Sequence, residues 1–194
     1  MERELWPLLY QTVRDVGRDF RQKYVQMQPW VLLLTLLWAA LPDRPVAWAC
    51  RQANWGTTHL RPPRIPSQPT LSRRVAQVGT GLLWRAVEVR LRQLSGSTVA
   101  LLAILDGKPL PVGGASTDHD ASWGRGASGK AKGYKLHTLW SNRALPEAWE
   151  VTTLKASEQV VAQRLVRQAA GGGYVLADGN YDGSPLFDDA ARAG

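Results

Sequence analysis

Cysteine is nearly absent from this chain. Cys50 stands alone, which excludes an internal disulfide, and with only three histidines present it argues against structural zinc. Such usage fits a reducing, cytoplasmic setting. Long apolar runs are missing as well. The one stretch that suggests a membrane, Trp30 to Leu41, is twelve residues long and interrupted by Thr35. A spanning helix needs roughly 20, so the run reads as a buried core helix and no membrane partner is expected. Glu2, Arg3, Glu4, Arg14, Asp15, Arg18 and Asp19 crowd the start of the chain, which excludes a secretory leader there.

Acid is scarce beside base. Sixteen carboxylates face 24 Lys and Arg, giving a net charge of +8. The balance favours a polyanionic partner, nucleic acid or an anionic surface, although basic charge kept for solubility gives the same count. The excess is concentrated: Arg44 to Arg92 holds nine arginines and a single acidic residue, Glu88. That asymmetry supplies the sequence-independent phosphate component of DNA affinity.

The apolar pattern divides the chain in two. In residues 1–95 it is helical. Leu5, Leu9, Val13, Val16, Phe20, Tyr24 and Met27 recur at steps of three and four, predicting one helix or two broken near Gly17. Pro29 starts a helix to Leu41, and Pro42 to Pro45 forces a turn. Short helices follow at Val46 to Ala53 and from Ser67, as N-cap, to Val78, with Gly79 as the stop. Leu83, Val87, Leu91 and Leu94 mark one more. The helices at Val46 and Ser67 suggest a loose helix-turn-helix, with Gln68, Thr70, Ser72, Arg73 and Arg74 near the reading end. The long loop between them departs from the usual short turn.

After Ser95-Gly96-Ser97 the period changes. Val99 to Leu105 reads as a continuous apolar strand that Lys108 to Val112 could extend, Tyr134 to Trp140 as a two-faced strand, and Trp149 to Leu154 as a third. A helix over Ser157 to Ala170 ends at Gly171 to Gly173. A last strand, Tyr174 to Ala177, precedes a short helix from Pro185 to Ala193. Residues 98–194 thus read as antiparallel strands, helix, strand, helix.

Two of these apolar runs lead into an aspartate, Asp106 and Asp178. Rigidly held carboxylates suit magnesium, which takes hard oxygen ligands alongside substrate phosphates. An aspartate after an apolar run is, taken singly, more often a turn residue. Two other patterns fail on context. Gly124 to Lys130 has P-loop spacing, but Ala131 replaces the metal-binding hydroxyl and a strand follows, so it reads as a basic, flexible loop. Asp178 to Gly183 copies half of an EF-hand loop, yet a strand precedes it and Pro185 interrupts it. Asp188 and Asp189 read as helix-surface charges, and His119 and His137 as ordinary loop and strand residues.

The wording around the aspartates is more specific. Asp106-Gly-Lys-Pro-Leu-Pro-Val-Gly-Gly, Asp118-His-Asp-Ala, Gly129-Lys-Ala-Lys-Gly-Tyr-Lys-Leu-His137 and Ala177-Asp-Gly-Asn-Tyr-Asp182, in this order, resemble DDE transposases of bacterial insertion sequences. Upstream, Asp43-Arg-Pro-Val-Ala-Trp-Ala-Cys50 and Pro66-Ser-Gln-Pro-Thr-Leu-Ser-Arg-Arg74 extend the likeness. The resemblance implies an α/β protein: an all-helical DNA-binding region over 1–95, then part of a ribonuclease H-like mixed sheet with flanking helices over 98–194.

It further implies Asp106 and Asp178 as the first two catalytic metal ligands and Mg2+ as cofactor, with Mn2+ as substitute. Lys130, Lys132 and Lys135 read, on their own charge, as phosphate contacts, although a solvated charge face explains them nearly as well. The partner would be double-stranded DNA at transposon ends, with a homodimer in the DNA complex. The activity would be metal-dependent cleavage and strand transfer. The family's third ligand is a glutamate on a later helix within a Tyr, Arg, Glu and Lys signature, and no glutamate follows Glu158. The chain is therefore expected to be truncated before that ligand and inactive as it stands. A non-catalytic DNA-binding protein is the alternative.

Overall fold

The computed structural model describes residues 2–23, 25–56, 58–95, 101–143, 145–169 and 173–193. It divides into two compact units, Met1–Leu94 and Ser95–Gly194. Of the expected elements, Tyr24, the linker residues Gly96 and Ser97, the strand start at 98–100 and the terminators Gly171 and Gly172 lie outside the described residues.

The first unit is helical: α1 (Glu2–Gly17), α2 (Pro29–Ala40), α3 (Val46–Ala49), a 3-10 turn (Gln52–Trp55), α4 (Gln68–Val75) and α5 (Val78–Leu94). The long amphipathic segment breaks at Gly17. Beyond it the Gln28 side chain takes over the backbone's hydrogen bonds, accepting from the Gln22 N–H at 2.9 Å and donating to the Gln22 and Val25 carbonyls. Val13, Leu33, Leu34, Leu83 and Val87 form the core with Trp6 and Trp55. Burial of each such aliphatic side chain is worth about 1.5–3 kcal/mol.

The indoles also tie down the proline-rich loop. Trp6 Nε1 donates to the Leu60 carbonyl at 2.9 Å and Tyr10 Oη to the Arg61 carbonyl at 3.0 Å, while Trp38 stacks on Trp55 at 4.9 Å. Loop polar groups are thereby satisfied from the core side.

One helical expectation is corrected. Gly79 does not stop a helix: α4 ends at Val75 with Ala76 as C-cap, and Gly79 lies in the first turn of α5. Ser67 is the N-cap of α4 with Pro69 in the first turn, as expected, and its hydroxyl pairs with that of Thr70 at 2.9 Å. α3 is only four residues long and packs on α2, whereas α4 seats Leu71 against Val31 and Leu32 of α2. The pair α3 and α4 is not a compact helix-turn-helix.

The second unit is a mixed sheet with two helices. Its strands are β1 (Leu102–Pro111), β2 (Ser122–Gly126), β3 (Gly129–Ser141), β4 (Ala148–Thr153) and β5 (Tyr174–Leu176), and its helices α6 (Glu158–Gln168) and α7 (Ser184–Ala193). β3 is central. It pairs antiparallel with β1 along one edge, and with β2 and then β4 along the other. β5 runs parallel to β1, with Leu102, Ala103 and Ile104 opposite Tyr174, Val175 and Leu176.

β1 continues through Asp106 to Pro111, so this aspartate lies within a strand rather than at its end. The glycine-rich stretch read as a flexible loop is the β2–β3 hairpin, with Gly126 opposite Gly129. Gly129 carries the turn at φ 119°, a conformation that side chains disfavour.

Alternation gives the sheet two unlike faces. On the inner face Leu105, Leu139 and Ala148 pack on Val161, Ala162, Leu165 and Val166 of α6. On the outer face Leu102, Ile104 and Trp140 are exposed. α7 is joined to α6 through Asp189, which is buried and accepts from Arg167 at 2.8 Å and from Arg192 at 3.3 Å. Asp189 is therefore an internal tie and not the surface charge expected of it; Asp188 is exposed.

Candidate active site

The parallel pairing of β1 with β5 determines what the two aspartates can do together. Ile104 faces Leu176 in register, and each strand places an aspartate two residues further on. β5 ends at Leu176 and Asp178 opens the 3-10 turn that follows, while Asp106 continues β1, so both aspartates lie just beyond the last paired residues of the two strands. Both are exposed.

Each carboxylate is oriented locally. Asp106 Oδ1 accepts the N–H of Gly107 at 2.7 Å. Asp178 is the N-cap of the 3-10 turn Gly179–Tyr181, and its Oδ1 accepts the Asn180 N–H at 3.0 Å while its Oδ2 accepts Asn180 Nδ2 at 3.1 Å. Beside Asp178 a groove of about 430 Å³ opens between β5 and α7, lined by Leu176 and Phe187 among others, so the carboxylate borders open space.

The basic residues divide by face. Lys108, Lys130 and Lys132 share the outer face with Asp106, and cross-strand pairing adds Trp123 and Arg125. Lys130 Nζ sits 5.7 Å from the Trp123 ring centre, and Lys132 Nζ donates to the Ser116 carbonyl at 2.7 Å. Tyr134 Oη donates to Asp118 Oδ2 at 2.8 Å; this bond holds the Asp118 carboxyl below the usual carboxylate range and pushes the phenol up.

Lys135 belongs to the other face. It is buried and ion-paired with Glu158, the first residue of α6. Its expected role as a phosphate contact does not fit this position, because β-strand alternation turns it away from Lys130 and Lys132. In the first unit Gln68, Ser72 and Arg73 are exposed on α4, with Thr70 and Arg74 half-buried. Arg73 Nε donates to the Pro69 carbonyl and Arg74 Nε to Gln77 Oε1.

Beneath the aspartates the inner face turns from apolar to polar. Lys135, His137 and Tyr181 are all buried there, His137 with no exposure at all. Burial, then the charge of Lys135, lowers the His137 pKa; burial, then Glu158, Asp106 and Asp178, raises that of Tyr181 well above the usual phenol range. Sequence reading missed this cluster. His137 looked like an ordinary strand residue, and only the pairing of β3 with β1 brings it to Gly107.

Could these residues hold a metal ion? Asp106 and Asp178 supply hard oxygen donors from adjacent strands, which fits Mg2+ bound partly by waters or phosphate. Among the described residues no three His, Cys, Asp or Glu side chains group to form a closed protein cage. Exposed carboxylates on an α/β sheet and a basic outer face are compatible with a divalent cation and a phosphate-rich ligand.

The family is clear. The transposase DDE domain matches residues 98–194, and the chain belongs to that family. Its sheet is part of a ribonuclease H-like fold. No curated protein matches the chain, and no solved structure does. The family acts in transposition, on DNA, and generally uses divalent metal. Among the described residues no helix is long and apolar enough to cross a membrane.

Proposed function

We propose that this chain is a DNA-transposition protein in which Asp106 and Asp178 hold Mg2+, with Mn2+ as substitute, against the phosphate of a transposon end. The observation that supports the reading is the parallel register of Ile104 with Leu176, two residues before Asp106 and Asp178 respectively. When bound, the metal supplies Lewis acidity for the reacting phosphodiester. Asn180 orients the Asp178 carboxylate. Lys108, Arg125 and Lys130 border the same face and steer the phosphate backbone toward it.

The helical unit contributes affinity. Gln68, Ser72 and Arg73 project from α4, and Arg85 and Arg90 are exposed on α5. These residues make phosphate contacts, with Thr70 and Arg74 in support. Lys132 acts mainly through its charge, and Lys135 is assigned no DNA contact.

The carboxylate pair supplies two of the hard oxygen ligands that metal-dependent phosphodiester chemistry uses. Titration of the full chain with Mn2+, followed by paramagnetic broadening of NMR signals, tests this reading. Broadening centred on Asp106 and Asp178 supports it, and its absence removes the metal site. The basic arginine face also favours a second reading, a purely DNA-binding protein, which retains salt-dependent DNA affinity with no metal response.

A further inference from the structure

The polar cluster under the aspartates has a direction. Thr152 Oγ1 donates its single hydrogen to the Thr153 carbonyl at 3.2 Å, so it must accept from His137 Nε2, 3.0 Å away. His137 is then the neutral Nε2–H tautomer, and its Nδ1 presents a lone pair to the interior. Among the described residues Nδ1 has no hydrogen-bond partner, and neither does the Tyr181 hydroxyl. His137 is fully buried and Tyr181 is 2% exposed. Burial of two unpaired polar groups is costly, and these two are complementary: one donor, one acceptor.

They also converge on one point. A Cβ placed on Gly107 would lie 2.9 Å from the Tyr181 hydroxyl and 3.6 Å from His137 Nδ1. Only glycine leaves the tyrosine room to reach beneath the sheet at this level. Tyr181 ends the 3-10 turn that Asp178 begins.

We infer that the Tyr181 hydroxyl donates to His137 Nδ1 through one bridging water, and that this link makes Tyr181 the positioning residue that fixes the Asp178 turn. The relay runs from Tyr181 through His137 and Thr152 to the Thr153 carbonyl, anchoring the turn across β1 to β3 and β4. The competing acceptor is Glu158, whose carboxylate is ion-paired with Lys135 but keeps lone pairs to spare and helps raise the Tyr181 pKa. The consequence for metal rests on the function proposed above; the link and its effect on the turn do not.

The test is NMR of the labelled full chain and its Tyr181→Phe variant, which removes one hydroxyl and little volume. In the wild type a slowly exchanging hydroxyl proton of Tyr181 should correlate with the His137 ring. In the variant the His137 Nδ1 resonance should move toward that of a free acceptor. Hydrogen exchange at the Asn180 amide should rise about tenfold, and Mn2+ affinity should fall by about tenfold, with α6 amides unchanged.

An unchanged Nδ1 resonance, a hydroxyl proton correlating with Glu158 instead, or unchanged Asn180 exchange would overturn the inference. A wild type that shows the link and the exchange effect yet no Mn2+ response would sustain the positioning role and defeat the metal reading alone.

Discussion

Leu176 lies opposite Ile104 in a parallel pair, and two residues beyond each stands one of the two aspartates. Each carboxylate is held by its own local hydrogen bonds, Asp106 to the Gly107 N–H and Asp178 to Asn180. Each should therefore be removable without loss of the fold.

Asp106→Asn and Asp178→Asn should each weaken Mn2+ binding by at least about tenfold, since each deletes a charged oxygen donor from a small set. Asp188→Asn should leave it unchanged. Isothermal titration or paramagnetic broadening measures this, and an equal effect at Asp188 would mean that the ions see only diffuse negative charge.

Gly107→Ala should destabilise the second unit by about 1–3 kcal/mol, because the new methyl meets the Tyr181 hydroxyl at 2.9 Å and Lys135 Cδ at 3.2 Å. Combining it with Tyr181→Phe should cost less than the sum of the two changes. Chemical denaturation of the four proteins in the cycle gives the coupling.

Acid should loosen the same region. Burial holds His137 neutral, with Lys135 and Arg164 reinforcing this and Glu158 and Glu150 opposing it. A lowered pKa means the unfolded chain takes up the proton first. The stabilisation is complete above the ordinary imidazole value of about 6.5 and is lost as pH falls from there toward the folded value. His137→Gln should flatten the fall in melting temperature over that window; parallel curves would show that other groups govern it.

Asp189→Ala should cost about 1–2 kcal/mol, since it strips a buried carboxylate from Arg167 and Arg192, both largely solvent-screened. Urea titration of the full chain measures it, and the loss should appear in the transition that reports α6 and α7.

Arg73→Ala with Arg74→Ala should reduce the salt dependence of DNA binding by about two phosphate contacts in the slope of log affinity against log salt. Fluorescence anisotropy at several salt concentrations reads this, and an unchanged slope would place the DNA path elsewhere.

Much of this was legible in the sequence. Helical periodicity marked α1, α2 and α5, and apolar runs marked β1 and β5. What misled was local chemistry that tertiary pairing overrode. Asp106-Gly-Lys-Pro reads as a turn, yet β3 pairs with it residue by residue from Gly107 to Pro111. The hairpin around Gly126 and Gly129 has the composition of a loop. Lys135 reads as a surface cation because its partner, Glu158, arrives 23 residues later on a different element. Alternation along β3 carried the correct face, but only the position of α6 revealed which face was interior.

Among the described residues β5 pairs with β1 alone, and its three residues are all exposed. Its free edge offers unmatched N–H and C=O groups to any other extended chain. The strand that leads into Asp178 therefore leaves its outer edge open to pairing with a further extended segment, and any such partner would also stiffen the turn in which Asp178 sits.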